Sequence, residues 1–107
     1  MMTQRGANAE AGAGFASDTD NGRWTFAGPL TYANAGPVLA AALEMMLPSG
    51  GEVDLNDVDA VDSAAVAVLL ALKRRAANEG RSLVFANVPT ALTTLADLYG
   101  VGEMLVA

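Results

Sequence analysis

The stretch DAVDSAAVAVLLALKRRA, Asp59 to Ala76, decides how this chain folds. From Ala64 to Leu72 it contains no polar residue, and alanine and leucine are strong helix formers. The pair Asp62-Ser63 suits a helix start, and Gly80 is a natural stop, so the stretch predicts a helix running from Ser63 to about Asn78. A helix in a small protein usually keeps one face for water, and this one keeps little. At ~100° per residue, with Ser63 at zero, Leu72, Ala65, Ala76, Leu69, Val66, Ala77 and Leu70 fill one broad arc. That arc holds the large side chains and is expected to pack on a sheet. The remaining arc carries Ser63, Arg74, Ala67, Asn78, Ala71, Ala64, Arg75 and Val68, a flat strip of small side chains with a serine at its head and arginines at its foot. An aspartate at position 69 is therefore expected to unfold the domain. At position 63 or 68 it is expected to spare the fold and weaken whatever binds the strip.

Two accounts of the strip stand side by side. Alanine is tolerated on helix surfaces for its propensity alone, and scattered exposed apolar residues need no partner. Alternatively, small residues let another protein's backbone approach closely, with the arginines around the contact. Ser63 divides in the same way. Its hydroxyl can cap the first turn, a role worth ~1 kcal/mol, and Asp62 can cap instead or favour the helix dipole. The functional alternative is a phosphorylation point, which would place up to two negative charges on the strip.

Outward from this helix, the chain alternates. Residues 1–13 show no periodicity and are expected to form a disordered tail, with a single domain over residues 14–107. A short strand begins near Gly14, and Asp20-Asn21-Gly22 is a turn signal. The RWTFA stretch that follows puts Trp24 and Phe26 on one side of a second strand and Thr25 on the other, which completes a hairpin. Val38, Leu39, Leu43, Met46 and Leu47 recur at helical spacing, Pro37 suits the first turn, and Pro48 with Gly50-Gly51 ends that helix. Glu52–Leu55 reads as a strand and the following NDVDAVD as a loop. Ser82–Asn87 reads as another strand, and Pro89–Tyr99 as a last helix with Leu92, Leu95, Leu98 and Tyr99 inward. The terminal GEMLVA reads as a short edge strand. The order predicts an α/β fold: a mixed sheet of four to five strands with an N-terminal hairpin, packed by about three helices.

Composition narrows the function. The net charge is −6, and the basic residues are a single cluster at Lys73-Arg74-Arg75 plus scattered arginines, which argues against nucleic-acid binding. There is no cysteine and no histidine, so thiolate nucleophiles, Cys/His zinc sites and the commonest general base are absent. No apolar run approaches the ~20 residues of a membrane span, and the N-terminus lacks the apolar core of a signal peptide. The acids Asp54, Asp57, Asp59 and Asp62 invite a calcium loop. Counting from Asp54, however, the positions that need glycine and glutamate hold Asp59 and Ala65. No phosphate-binding glycine loop and no serine nucleophile set occurs. Trp24 and Phe26 fit a core better than a ligand-stacking pair. No catalytic residue, metal site or cofactor is expected, which makes an enzyme the weakest class, behind a binding subunit, a phosphorylation switch and a small-ligand carrier.

The run VDLNDVDAVDSAAVAVLLALKRRAANEGRSLVFANVP resembles the core of a STAS domain, in which a strand ends in an acidic loop and an Asp-Ser or Asp-Thr pair opens a helix; here the pair is Asp62-Ser63. FAGPLTYANAGPVLAAALEMML is similar to the hairpin-to-first-helix segment of that family, and LADLYGVGEML to its closing helix and tail. Within the family the chain is most similar to MlaB-like subunits of the bacterial phospholipid ABC transporter that maintains outer-membrane lipid asymmetry. That resemblance implies a non-enzymatic cytoplasmic subunit, peripheral to the inner membrane, that binds and supports the transporter's ATPase subunit. It implies no direct membrane insertion. It makes Ser63, Ala64, Ala67, Val68, Ala71, Arg74 and Arg75 a partner-binding surface, with Ser63 a contact hydroxyl and Asp62 the acid at the helix start. The second branch is the anti-sigma-factor antagonists, whose partner kinase phosphorylates this serine. They usually carry glycine two positions later, where this chain has Ala65.

Overall fold

A computed structural model describes residues 14–106. The tail expected over residues 1–13 lies outside the described residues. Strands β1 (Gly14–Asp18) and β2 (Arg23–Leu30) form the hairpin, joined by a turn in which Gly22 has φ +66°. Helix α1 (Ala35–Leu43), strand β3 (Glu52–Val61), helix α2 (Ser63–Asn78), strand β4 (Val84–Ala86), helix α3 (Thr90–Leu98) and helix α4 (Gly102–Val106) follow. The sheet order is β1-β2-β3-β4, antiparallel in the hairpin and parallel thereafter. This is the mixed α/β architecture expected, with four strands and four helices among the described residues.

Period-two alternation sends Trp24, Phe26, Val53, Leu55 and Phe85 to the core face, where Phe15 packs its ring against Trp24 and Phe26 at 5.5 and 4.8 Å between centroids. The alternate positions Arg23, Thr25, Glu52 and Asp54 are only half-buried, and Arg23 Nη1 meets Glu52 Oε2 at 3.4 Å across the β2–β3 pair. Asn87 Nδ2 donates to Asp54 Oδ1 at 3.0 Å, tying the end of β4 to β3. With the Asn56 amide, that bond holds the Asp54 carboxyl below its ordinary pKa. The core of α2 is a regular stripe: Ala65, Val68, Leu69, Leu72 and Ala76 are each at most 2 % exposed.

Five local expectations need correction. NDVDAVD is not a loop: β3 continues through it to Val61. Two one-residue bulges hide this, because Phe26 faces both Leu55 and Asn56, and Asp59 is an extra residue between the pairs Gly28–Val58 and Pro29–Ala60. Each bulge shifts the side-chain alternation by one, so the buried residue after Leu55 is Val58 and the period is lost. Helix α1 stops at Leu43, leaving Leu43 and Met46 exposed, while Leu47 is buried from outside the helix. The strand expected over Ser82–Asn87 narrows to Val84–Ala86. GEMLVA forms α4, not an edge strand, and its turn carries Leu105 into the core. In α3, Leu92 and Ala96 are the buried pair and Leu98 is 75 % exposed. Tyr99 shares the Leu92 side of the helix but caps its end and stays more than half exposed.

The early end of α1 has a visible cause. Arg75 Nη1 donates to the Ala42 carbonyl at 3.0 Å and Nη2 to the Met45 carbonyl at 2.6 Å, while Nε pairs with Glu79 at 2.9 Å. Arg81 Nη2 donates to the Pro48 carbonyl at 2.6 Å. Guanidinium donors thus reach the carbonyls around the helix end, adding to the backbone amides of Met45 and Gly51 at Ala42 and Pro48 and serving Met45 directly. Arg75→Ala strands the Met45 carbonyl, while the Ala42 carbonyl keeps the Met45 amide as a donor at 3.0 Å, and should lower stability by about 1–2 kcal/mol in urea melts. A loss below about 0.5 kcal/mol would show that water replaces the side chain.

Candidate functional site

The head of α2 is built by Asp62, not by Ser63. Asp62 has extended backbone geometry, its Oδ1 accepts from the Ala64 amide at 2.8 Å, and its Oδ2 accepts from the Tyr32 amide at 3.0 Å. One carboxylate therefore caps α2 and pins the β2–α1 loop beside it. That loop is stiffened from within, since Asn34 Oδ1 accepts from the Thr31 amide at 2.9 Å and its Nδ2 donates to the Pro29 carbonyl at 2.8 Å. Ser63 is then the first helical residue. It is exposed, and among the described residues its hydroxyl has no hydrogen-bond partner. Asp62→Ala removes both bonds and should cost about 1–2 kcal/mol in thermal or urea melts. Ser63→Ala should leave the melt within about 0.5 kcal/mol of wild type, which separates the two candidate caps.

Beside Ser63 lies an open groove of about 290 Å³ lined by Ser63, Val66, Ala67, Leu70, Tyr99 and Val101. Its α2 wall follows i, i+3, i+4, i+7 from Ser63, so one helix face supplies all four residues. The opposite wall comes from the end of α3. Gly100 adopts φ +74°, the Val101 amide donates to the Ala96 carbonyl at 2.9 Å and the Gly100 amide to Asp97 at 3.0 Å. This is a Schellman stop, which needs glycine at the left-handed position and sets Tyr99 and Val101 on either side of it. Outside this lining, Tyr32, Leu98 and Met104 are also exposed, at 77, 75 and 49 %.

The strip expected along α2 is partly assembled here. Ser63 and Ala67 line the groove; Ala64 and Ala71 are half-buried; Arg74 is exposed beyond its foot, one turn after Leu70. Two placements are corrected. Val68 is 2 % exposed and belongs to the core stripe, because the buried arc is centred nearer Leu72 than large side chains alone suggested. Arg75 turns inward to the α1 carbonyls and does not join the strip. Ala77, assigned inward, is exposed. Lys73 lies over the Phe85 ring at 5.7 Å, and burial lowers its pKa.

Sequence reasoning missed Leu70, Val66, Tyr99 and Val101 as groove residues. The α2 pair was findable, since the i, i+3, i+4, i+7 series from Ser63 is apolar after its first member. The α3 pair was not, because it depends on where the Gly100 stop sits in space. The helix lacks a polar face because it carries two apolar stripes, one on the sheet and one in the groove.

Among the described residues there is no cluster of acids able to hold a metal ion, and no helix is long and apolar enough to cross a membrane. No curated protein matches the chain. Residues 14–107, which include every element that builds the groove, match the family model described as "Mlab, STAS domain", and the chain belongs to this STAS-domain family.

Proposed function

We propose that this chain is a non-enzymatic binding subunit whose α2 groove docks the ATPase subunit of an ABC phospholipid transporter that maintains outer-membrane lipid asymmetry. It works in the cytoplasm and is held at the inner membrane through that complex. The observation that carries the reading is the match of residues 14–107 to the Mlab STAS family. The site supports it physically. A groove with a part-apolar, part-hydroxyl lining and an exposed tyrosine, Tyr99, in its wall has the make-up of a protein-docking surface. Ser63, Ala67 and Arg74 are the contact residues on α2, with Ala64 and Ala71 at its margin.

One observation favours a second reading. Because Asp62 caps the helix, the Ser63 hydroxyl stands exposed and unbonded, as a phosphorylated serine of an anti-sigma-factor antagonist would need. Mild affinity purification of the tagged chain from its native cells, read by mass spectrometry, distinguishes the two. An ABC ATPase recovered with its membrane subunit is the expected result. A kinase-type anti-sigma factor, with phosphate on Ser63, would replace the transporter reading.

A further inference from the structure

We propose that the segment docking in the α2 groove is an apolar protein segment flanked by lysine or arginine, steered there by carboxylates on the groove's rim. The inference rests on the reading of the groove as the partner face. Each wall is bordered by an acid within two residues of a lining side chain: Asp62 beside Ser63, Asp97 before Tyr99, and Glu103 after Val101. Asp97 and Glu103 are exposed, and among the described residues none of the three takes part in an ion pair. Among the described residues, every cation but Arg74 has a contact of its own. Arg23 pairs with Glu52, Arg75 and Arg81 hold carbonyls, and Lys73 lies over Phe85. Arg74 is exposed, but it stands eleven residues along α2 from Ser63, ~16 Å at the rise of a helix. That exceeds the Debye length of ~8 Å at physiological salt, so Arg74 does little at Asp62 and instead borders the foot of the groove, one turn after Leu70. The Asp62 carboxylate is already engaged by the Ala64 and Tyr32 amides, so Asp97 and Glu103 carry the negative charge of the α3 side. An apolar groove with two such acids beside it attracts a basic-flanked apolar segment and repels an acidic one or an anionic lipid surface.

The test is stopped-flow or surface-based association of the full chain with the purified ATPase subunit at low and high salt. The association rate should fall on the order of tenfold between about 50 mM and about 500 mM salt. Glu103→Lys and Asp97→Lys should each lower the low-salt rate about three- to tenfold, with folding checked by circular dichroism. Asp20→Lys makes the same charge change in the β1–β2 turn, at the opposite end of β2 from the α2 head, and should leave the rate within about twofold of wild type. Binding with a salt-independent rate, or equal losses in the rim variants and Asp20→Lys, overturns the rim and leaves the ATPase as partner. Absence of ATPase binding at every salt concentration overturns the partner reading and this inference with it.

Discussion

Val68→Asp should fail to fold. Val68 is 2 % exposed and packs in the stripe that α2 lays on the sheet, next to Leu69 and Leu72, which are fully buried. Among the described residues the core contains no buried polar or charged residue to receive a carboxylate. A carboxylate there must either lose its hydration or remain protonated, and either course costs several kcal/mol. Against a total stability of about 5–15 kcal/mol, a loss of about 4 kcal/mol or more removes most of the folded population. The thermal midpoint should drop by about 20 °C or more, or the cooperative transition should vanish. Val68→Ala leaves only a small cavity and should cost about 1–3 kcal/mol, which confirms burial without the charge. A wild-type melt for Val68→Asp would return this residue to the outer strip.

The error over Val68 shows what a single helix stretch can and cannot reveal. Alternating strands and helices, the hairpin turn at Asn21-Gly22 and the inward Trp24 and Phe26 were all legible, because each depends on local pattern. The rotation of α2 was not. Val66, Val68, Leu69, Leu70 and Leu72 span so much of the helix circumference that several rotations bury a plausible set. The sheet and the α3 stop together select the rotation that buries Val68 and opens Ala67. Bulges erased the strand signal in β3 for a related reason: alternation can be read only while the register holds. Arg75 was misread because a basic residue near a helix end is equally suited to solvent and to another helix's carbonyls. Only tertiary contact decides between them.

The site was legible at its head and hidden along its far wall. The pair Asp62-Ser63 marked the start of α2 and raised both capping assignments; geometry then gave the cap to the acid. Tyr99 was read as core because it falls on the Leu92 side of α3. A helix end, however, exposes a residue that the same angular position would bury one turn earlier.

Ala67→Asp, one residue from Val68, should have the opposite profile. Ala67 is exposed and lines the groove between Ser63 and Leu70, so the new carboxylate remains in water in the free protein. Its cost to folding is limited to helix propensity, about 0.5–1 kcal/mol, and the melt should stay cooperative and close to wild type. In the complex the same group would be desolvated against an apolar segment at the centre of the contact, where substitutions cost most. Affinity for the ATPase subunit proposed as partner should therefore fall about 100-fold or more, some 3 kcal/mol, by calorimetry or surface-based titration. Ala67→Ser keeps the size small and should lose less than about tenfold, so the defect tracks charge and bulk and not the loss of a methyl group. The dissociation rate should carry most of the change, since the lesion lies in the docked state. Unchanged affinity with an intact fold would move the partner to another face of the molecule, and a collapsed melt would mean that α2 is turned further toward the sheet at this position.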